Sequence, residues 1–167
     1  SRAPERHREM QWVSRINRAC DEDRLELLLQ PIVAIRAGVD KTRQFELLLR
    51  MRDEKGKIVS PDQFIAAAER YAITPSIDRW VIERAIRVLR ERRLSQPELR
   101  LSVNLSTQSL ASESLVGFIT DKLVQYNVDP AALARDGEGH VEARDGLKVD
   151  AGDQAPELRV VPVVAIE

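Results

Sequence analysis

The chain has 167 residues, of which 43% are apolar and 32% charged, with a formal net charge of −1. That length supports one ordinary domain with a real hydrophobic core, and the composition reads as globular rather than disordered or fibrous. The near-neutral balance argues against a sequence-independent binder of nucleic-acid polymers, which needs a strong basic field to displace counterions. No apolar stretch approaches the roughly 20 residues a membrane helix needs, and Ser1 to Arg8 is charged where a secretory signal would be apolar. One cysteine, Cys20, offers neither an internal disulfide nor a metal pattern. The expected compartment is the cytoplasm.

In chain order, Met10, Val13, Ile16, Asn17 and Cys20 follow helical spacing, so residues 1–23 read as an N-terminal linker helix. Leu25 to Val33 is a short apolar run, closed by Pro31 and an Ala37-Gly38 turn, and reads as a strand. Gln44 to Met51 is a second strand, apolar except for Gln44, Glu46 and Arg50, and such runs suit burial on both faces. Lys55-Gly56-Lys57 is a turn. Ser60-Pro61-Asp62 starts a helix with serine as N-cap, proline at the first helical position and an acid in the first turn. Thr74-Pro75 repeats the device and launches a long amphipathic helix through Ile77, Val81, Ile82, Ala85, Ile86 and Leu89. Leu99 to Leu105 alternates as a third strand, and Ser106 or Ser112 caps a helix over Leu115 to Tyr126 that stops at Asn127. Strands alternating with helices imply an α/β fold with a mainly parallel sheet. After Leu133 the chain turns glycine-rich and acidic without a periodic apolar face, and Leu158 to Ile166 reads as one edge strand broken by Pro162.

Polar groups stand at strand positions where apolar ones are expected. Gln30 precedes Pro31 at the end of the first strand, Glu46 and Arg50 share a side of the second, and Asn104 ends the third. A carboxylate with an amide oxygen from a neighbouring strand offers hard ligands for Mg²⁺ or Mn²⁺. An arginine nearby offers a planar fork for phosphate, and together these suit phosphodiester hydrolysis by an activated water. On spacing alone the ordinary reading is different. Glu46 and Arg50 would form a mutual salt bridge at a sheet edge, Asn104 a cap or Asx-turn, and Gln30-Pro31 a strand end.

Over residues 24–133 the chain resembles the EAL domain family. Leu29-Gln30-Pro31-Ile32-Val33 is similar to the family's opening strand, and Glu46-Leu47-Leu48-Leu49-Arg50 stands at its signature. Ser60-Pro61-Asp62-Gln63-Phe64-Ile65, Asp78-Arg79-Trp80-Val81-Ile82 and Ser102-Val103-Asn104-Leu105-Ser106 follow in the family's order. The resemblance implies a TIM-barrel-like fold that hydrolyses cyclic di-GMP to linear pGpG in bacterial second-messenger signalling, with Mg²⁺ or Mn²⁺. It implies Glu46 as catalytic and metal-binding, Asn104 as a metal ligand, and Gln30, Leu48 and Arg50 as contacts to the dinucleotide. The signature's alanine is Leu47 here, at a position facing away from the ligand pair, so the change bears on packing.

Past Leu133 the resemblance predicts further strands carrying glutamate, an aspartate pair, lysine and glutamate, none of which the sequence shows. Residues 134–167 therefore read as an atypical tail, disordered or foreign, after the first part of a barrel. A shifted reading frame would account for the change, and translation of the other frames tests it. A hydrolase truncated in this way is expected to be inactive or weak. Two other readings remain: a non-catalytic cyclic-di-GMP receptor, and a protein-interaction module of a larger signalling protein. A homodimer and an upstream sensory or diguanylate cyclase domain are the expected partners besides cyclic di-GMP.

Overall fold

The computed structural model describes residues 2–34, 43–133, 158–160 and 164–165. Helix α1 (Arg2–Asp21) leads into strands β1 (Leu25–Ala34) and β2 (Arg43–Arg52), followed by the short β3 (Ile58–Val59). Helices α2 (Pro61–Arg70) and α3 (Thr74–Arg92) precede β4 (Leu99–Val103). Helices α4 (Thr107–Leu110) and α5 (Glu113–Tyr126) and a single 3-10 turn (Pro130–Ala132) follow, and two short strands, β5 (Leu158–Val160) and β6 (Val164–Ala165), complete the sheet. Most of the tail, like the Ala37-Gly38 turn, lies outside the described residues.

The sheet grows around β2. Strand β1 lies antiparallel along one edge, from Leu25 opposite Met51 to Ile32 opposite Gln44. The other edge is divided: β4 runs parallel beside Arg43–Leu47, and β3 pairs antiparallel with Met51 and Arg52. A parallel bridge from Leu101 to Leu133 carries the parallel order one step further. Both tail strands pair antiparallel with the free edge of β1. The expectation of a mainly parallel sheet therefore fails for the first two strands. Hydrophobic runs report burial, and the pairing direction depends on a turn the apolar pattern does not encode. Nor does β1 stop at Pro31. On its free edge that residue falls between the pairings of Leu29 and Ile32, so the missing N–H costs no ladder bond to β5 or β6.

Alternation sorts the strands into two faces. Leu25, Leu27 and Leu29, Leu47, Leu49 and Met51, and Leu99, Leu101 and Val103 are buried, and join one core with Ile16, Phe64, Ile77, Val81, Ile82, Ile86 and Leu89 from the helices. Leu47 is thus a packing residue on the helix side, as its position predicts. The opposite face, with Glu26, Leu28, Gln30, Glu46, Leu48, Arg50, Ser102 and Asn104, is only half-buried. Burial on both faces, expected from the apolar runs, does not occur.

The helix starts follow the sequence signals with two corrections. Pro61 opens α2 behind Ser60 as expected, but α3 begins at Thr74 behind Ile73, so Thr74 is not the N-cap. Pro75 stands second in the helix, still in the first turn, where its missing N–H needs no intrahelical partner. Ser106 and Ser112 are not alternative caps of one helix, because Ser106 caps α4, accepting from the Ser109 N–H, and Ser112 precedes α5. Asn127, at φ 53°, ends α5 in the left-handed conformation that asparagine tolerates. Gly56, at φ 78°, makes the β2–β3 turn possible, where Asp53 accepts from the N–H groups of Lys55 and Lys57. Among the described residues no helix is long and apolar enough to cross a membrane.

Candidate functional site

The candidate residues gather on the half-buried face. Gln30 lies directly opposite Glu46 across the β1–β2 ladder, and Leu48 lies opposite Leu28. Directly opposed residues in an antiparallel pair project to the same side, so these four form two adjoining rows. On the other flank Ser102 is the parallel neighbour of Glu46. The Asn104 Nδ2 donates to Glu46 Oε1 at 2.6 Å, joining residues 58 apart in sequence. Gln44 Nε2 donates to Ser102 Oγ at 3.2 Å in the row below. Arg50 stands above Leu48, and its Nη1 donates to the Leu49 carbonyl at 2.8 Å.

This arrangement separates the two readings that spacing left open. Among the described residues no ion pair joins Glu46 to Arg50. The cap of the helix after β4 is Ser106, which leaves the Asn104 side chain to Glu46. A patch therefore runs along the strands: polar at Gln30, Glu46 and Asn104, apolar at Leu28 and Leu48, cationic at Arg50. Such an order suits a ligand with flat apolar rings joined by anionic linkers.

The Glu46 carboxylate and the Asn104 amide oxygen supply hard donors of the kind a divalent cation takes. Two donors fit part of an octahedral set, and among the described residues no group of three or more His, Cys, Asp or Glu side chains could hold a metal ion.

Asp78, on α3, holds the corner beyond Asn104 and has no counterpart in the predicted site. It is fully buried. Its Oδ2 accepts from the Ser106 N–H at 2.8 Å, the Ser106 hydroxyl at 2.6 Å and the Ser109 hydroxyl at 2.8 Å. The signal was present as an aspartate within the apolar stripe of a helix, where a charge requires bonded partners. Glu26 and Arg52 were also missed. They share the half-buried face with Arg50, and the Arg52 Nε donates to Glu26 Oε1. That carboxylate pushes the guanidinium of Arg52 further up from its ordinary value.

The sequence model of the EAL domain family matches residues 13–134. The chain belongs to the EAL domain family. It is 31% identical over 117 residues to the cyclic di-GMP phosphodiesterase PdeF of Escherichia coli (strain K12), covering 70% of this chain and 15% of that protein. It is 39% identical over 117 residues to the cyclic di-GMP phosphodiesterase PdeB of Shewanella oneidensis, with 70% of this chain and 14% of that protein covered. Among solved structures, the FimX EAL domain of Xanthomonas citri in complex with c-diGMP matches with a TM-score of 0.66 at 30% identity. That match covers 80% of this chain and 50% of the other. The FimX EAL domain of Pseudomonas aeruginosa bound to c-di-GMP matches with a TM-score of 0.65 at 30% identity, covering 73% and 48%. The fold is thus TIM-barrel-like, of EAL type, and the chain spans about half the length of these solved EAL domains.

Proposed function

We propose that this chain is the first part of an EAL-type cyclic-di-GMP phosphodiesterase domain, residues 24–133, entered through a linker helix at residues 1–23. The half-buried face of β1, β2 and β4 receives the dinucleotide. The observation that carries the reading is the meeting of Glu46 and Asn104 at 2.6 Å, at the register position of Gln30. Gln30 contacts the ligand with its amide, Leu48 lies against a base, and the guanidinium of Arg50 takes a phosphate as a planar fork. Glu46 and Asn104 would hold Mg²⁺ or Mn²⁺, which supplies an activated water and neutralises charge at the phosphate when bound. Similarity to proteins named cyclic di-GMP phosphodiesterases, and to EAL domains bound to that ligand, supports this assignment.

A second reading, a receptor that binds cyclic di-GMP without turnover, is favoured by the two-donor set that the described residues bring together. Titration of the chain with cyclic di-GMP, with and without Mg²⁺, decides between them. Metal-dependent production of pGpG supports the hydrolase, and metal-independent binding without pGpG supports the receptor. Absence of binding removes both and leaves an interaction module. In a preparation that turns over, Glu46→Ala is expected to abolish hydrolysis, and unchanged turnover would overturn the role given to Glu46. Helix α1, buried only at Ile16 and Ala19, fits a connector from an upstream domain.

A further inference from the structure

Arg50 has a carboxylate close at hand that it does not bind. Glu26 is its direct partner across the β1–β2 ladder, and opposed side chains there are roughly 5 Å apart at Cβ. Left to themselves, the two would pair, and a paired guanidinium is a poorer phosphate fork. Instead the Glu26 carboxylate is held by Arg52, its diagonal neighbour on the same face. Arg52 is itself fixed in place. Its Nη1 donates to the Gly56 carbonyl at 2.9 Å, across the turn closed by Asp53, and its own carbonyl accepts from Arg24 Nη1 at 3.0 Å. Arg24 pairs with Glu22, Arg18 pairs with Glu22 and Glu54, and Asp53 accepts from the N–H groups of Lys55 and Lys57, so each of these acids is engaged elsewhere. Among the described residues Arg50 has no carboxylate partner, and its guanidinium bonds only the Leu49 carbonyl.

We infer that Arg52 is a positioning residue for ligand binding: by occupying Glu26 it keeps Arg50 open to the phosphate of a cyclic dinucleotide. This rests on the phosphate role proposed above for Arg50. The Arg52 and Glu26 side chains are 39% and 38% exposed, so the competition is between solvated pairs and its effect is modest.

The test is a set of variants of the full chain, read by calorimetric titration with cyclic di-GMP. Arg50→Ala is expected to weaken binding at least about tenfold, because a charge-assisted phosphate contact is lost. Arg52→Ala is expected to weaken it about three- to fivefold, the scale of an exposed ion pair. Adding Glu26→Gln to Arg52→Ala restores affinity, because the competing acid is gone. Adding Glu54→Gln instead changes the net charge equally but does not restore it, since Glu54 is held by Arg18. Unchanged affinity in Arg52→Ala, or equal rescue by Glu54→Gln, overturns the inference while leaving the role of Arg50 standing. An Arg50→Ala variant that binds as well as the parent overturns the phosphate role itself.

A ligand-free measurement keeps the two apart. Rotation of the Arg50 guanidinium about its Nε–Cζ bond, followed by ¹⁵N NMR, should slow in Arg52→Ala and recover when Glu26→Gln is added. Rotation unaltered in Arg52→Ala overturns the transfer of Glu26 to Arg50, whatever the outcome of the ligand titration.

Discussion

The two faces of the sheet obey different rules. On the helix side, Leu25, Leu49, Leu101 and their neighbours are buried among α1, α2 and α3, and among the described residues every buried strand side chain is apolar. On the other side Gln30, Glu46, Arg50 and, just past β4, Asn104 are half-buried, with Asn104 bonded to Glu46 and Arg50 to the backbone. One face therefore carries the stability, because apolar burial scales with area and is indifferent to chemistry. The other is released from that duty and can hold groups that would be costly in a core. The lesson is that a strand with period-two patterning can serve packing and recognition at once, with little interference between them.

That separation can be broken or sharpened experimentally. The largest effect on folding should follow Phe64→Ala, which empties a fully buried position between α2 and the sheet. A loss of about 3–5 kcal/mol is expected in urea unfolding. Asp78→Ala should come next, at about 3 kcal/mol, because it strands the buried donors of Ser106 and Ser109. Asp78→Asn keeps an acceptor and should cost less. On the other face, Glu46→Ala should change unfolding free energy by less than about 1 kcal/mol, as for a partly exposed polar group. If it instead destabilises the protein as much as Phe64→Ala does, the two faces are not independent.

The smallest effect concerns acid. The N–H groups of Lys57 and then Lys55 hold the Asp53 carboxyl below its ordinary value. A carboxyl depressed in the folded state contributes fully above its unfolded value of about 3.9, and the contribution is lost as pH falls through the lower folded value. Asp53→Asn should therefore lose a small stabilisation at neutral pH, where the carboxylate is charged, and flatten the acid limb of the stability curve below about pH 4. An unaltered acid limb would show that the turn is not held by that carboxylate.

Much of the helix-side face was legible beforehand, since Leu25–Leu29, Leu47–Met51 and Leu99–Val103 carry their burial in their own spacing. Helices α2 and α3 were legible from proline in the first turn and the stripe through Ile77 and Leu89. The antiparallel pairing of β1 with β2 was not, because period-two alternation is the same for either direction. The two-residue β3 was too short to leave a periodic trace, and α4 appeared only as a choice between Ser106 and Ser112. In the site, Gln30, Glu46, Leu48, Arg50 and Asn104 stood out as polar or signature residues, and the structure brings them onto one face. What sequence could not give was how each polar group is engaged. Glu46 meets Asn104 rather than Arg50, Arg52 takes Glu26, and Asp78 reaches Ser106, pairings fixed only when distant segments are registered against each other.

The Asp78 clasp has a mechanical consequence. A single oxygen on α3 grips both the backbone and the side chain of Ser106, two residues beyond Asn104. The end of β4 is thereby tied to the helix as well as to the sheet, where Val103 pairs with Leu47 and Asn104 bonds Glu46. Arg79, the next residue on that helix, stacks on the Phe118 ring of α5 at 4.7 Å and donates to Ser114 Oγ at 2.7 Å. Adjacent residues of α3 thus tether α5 on one side and the segment after Asn104 on the other.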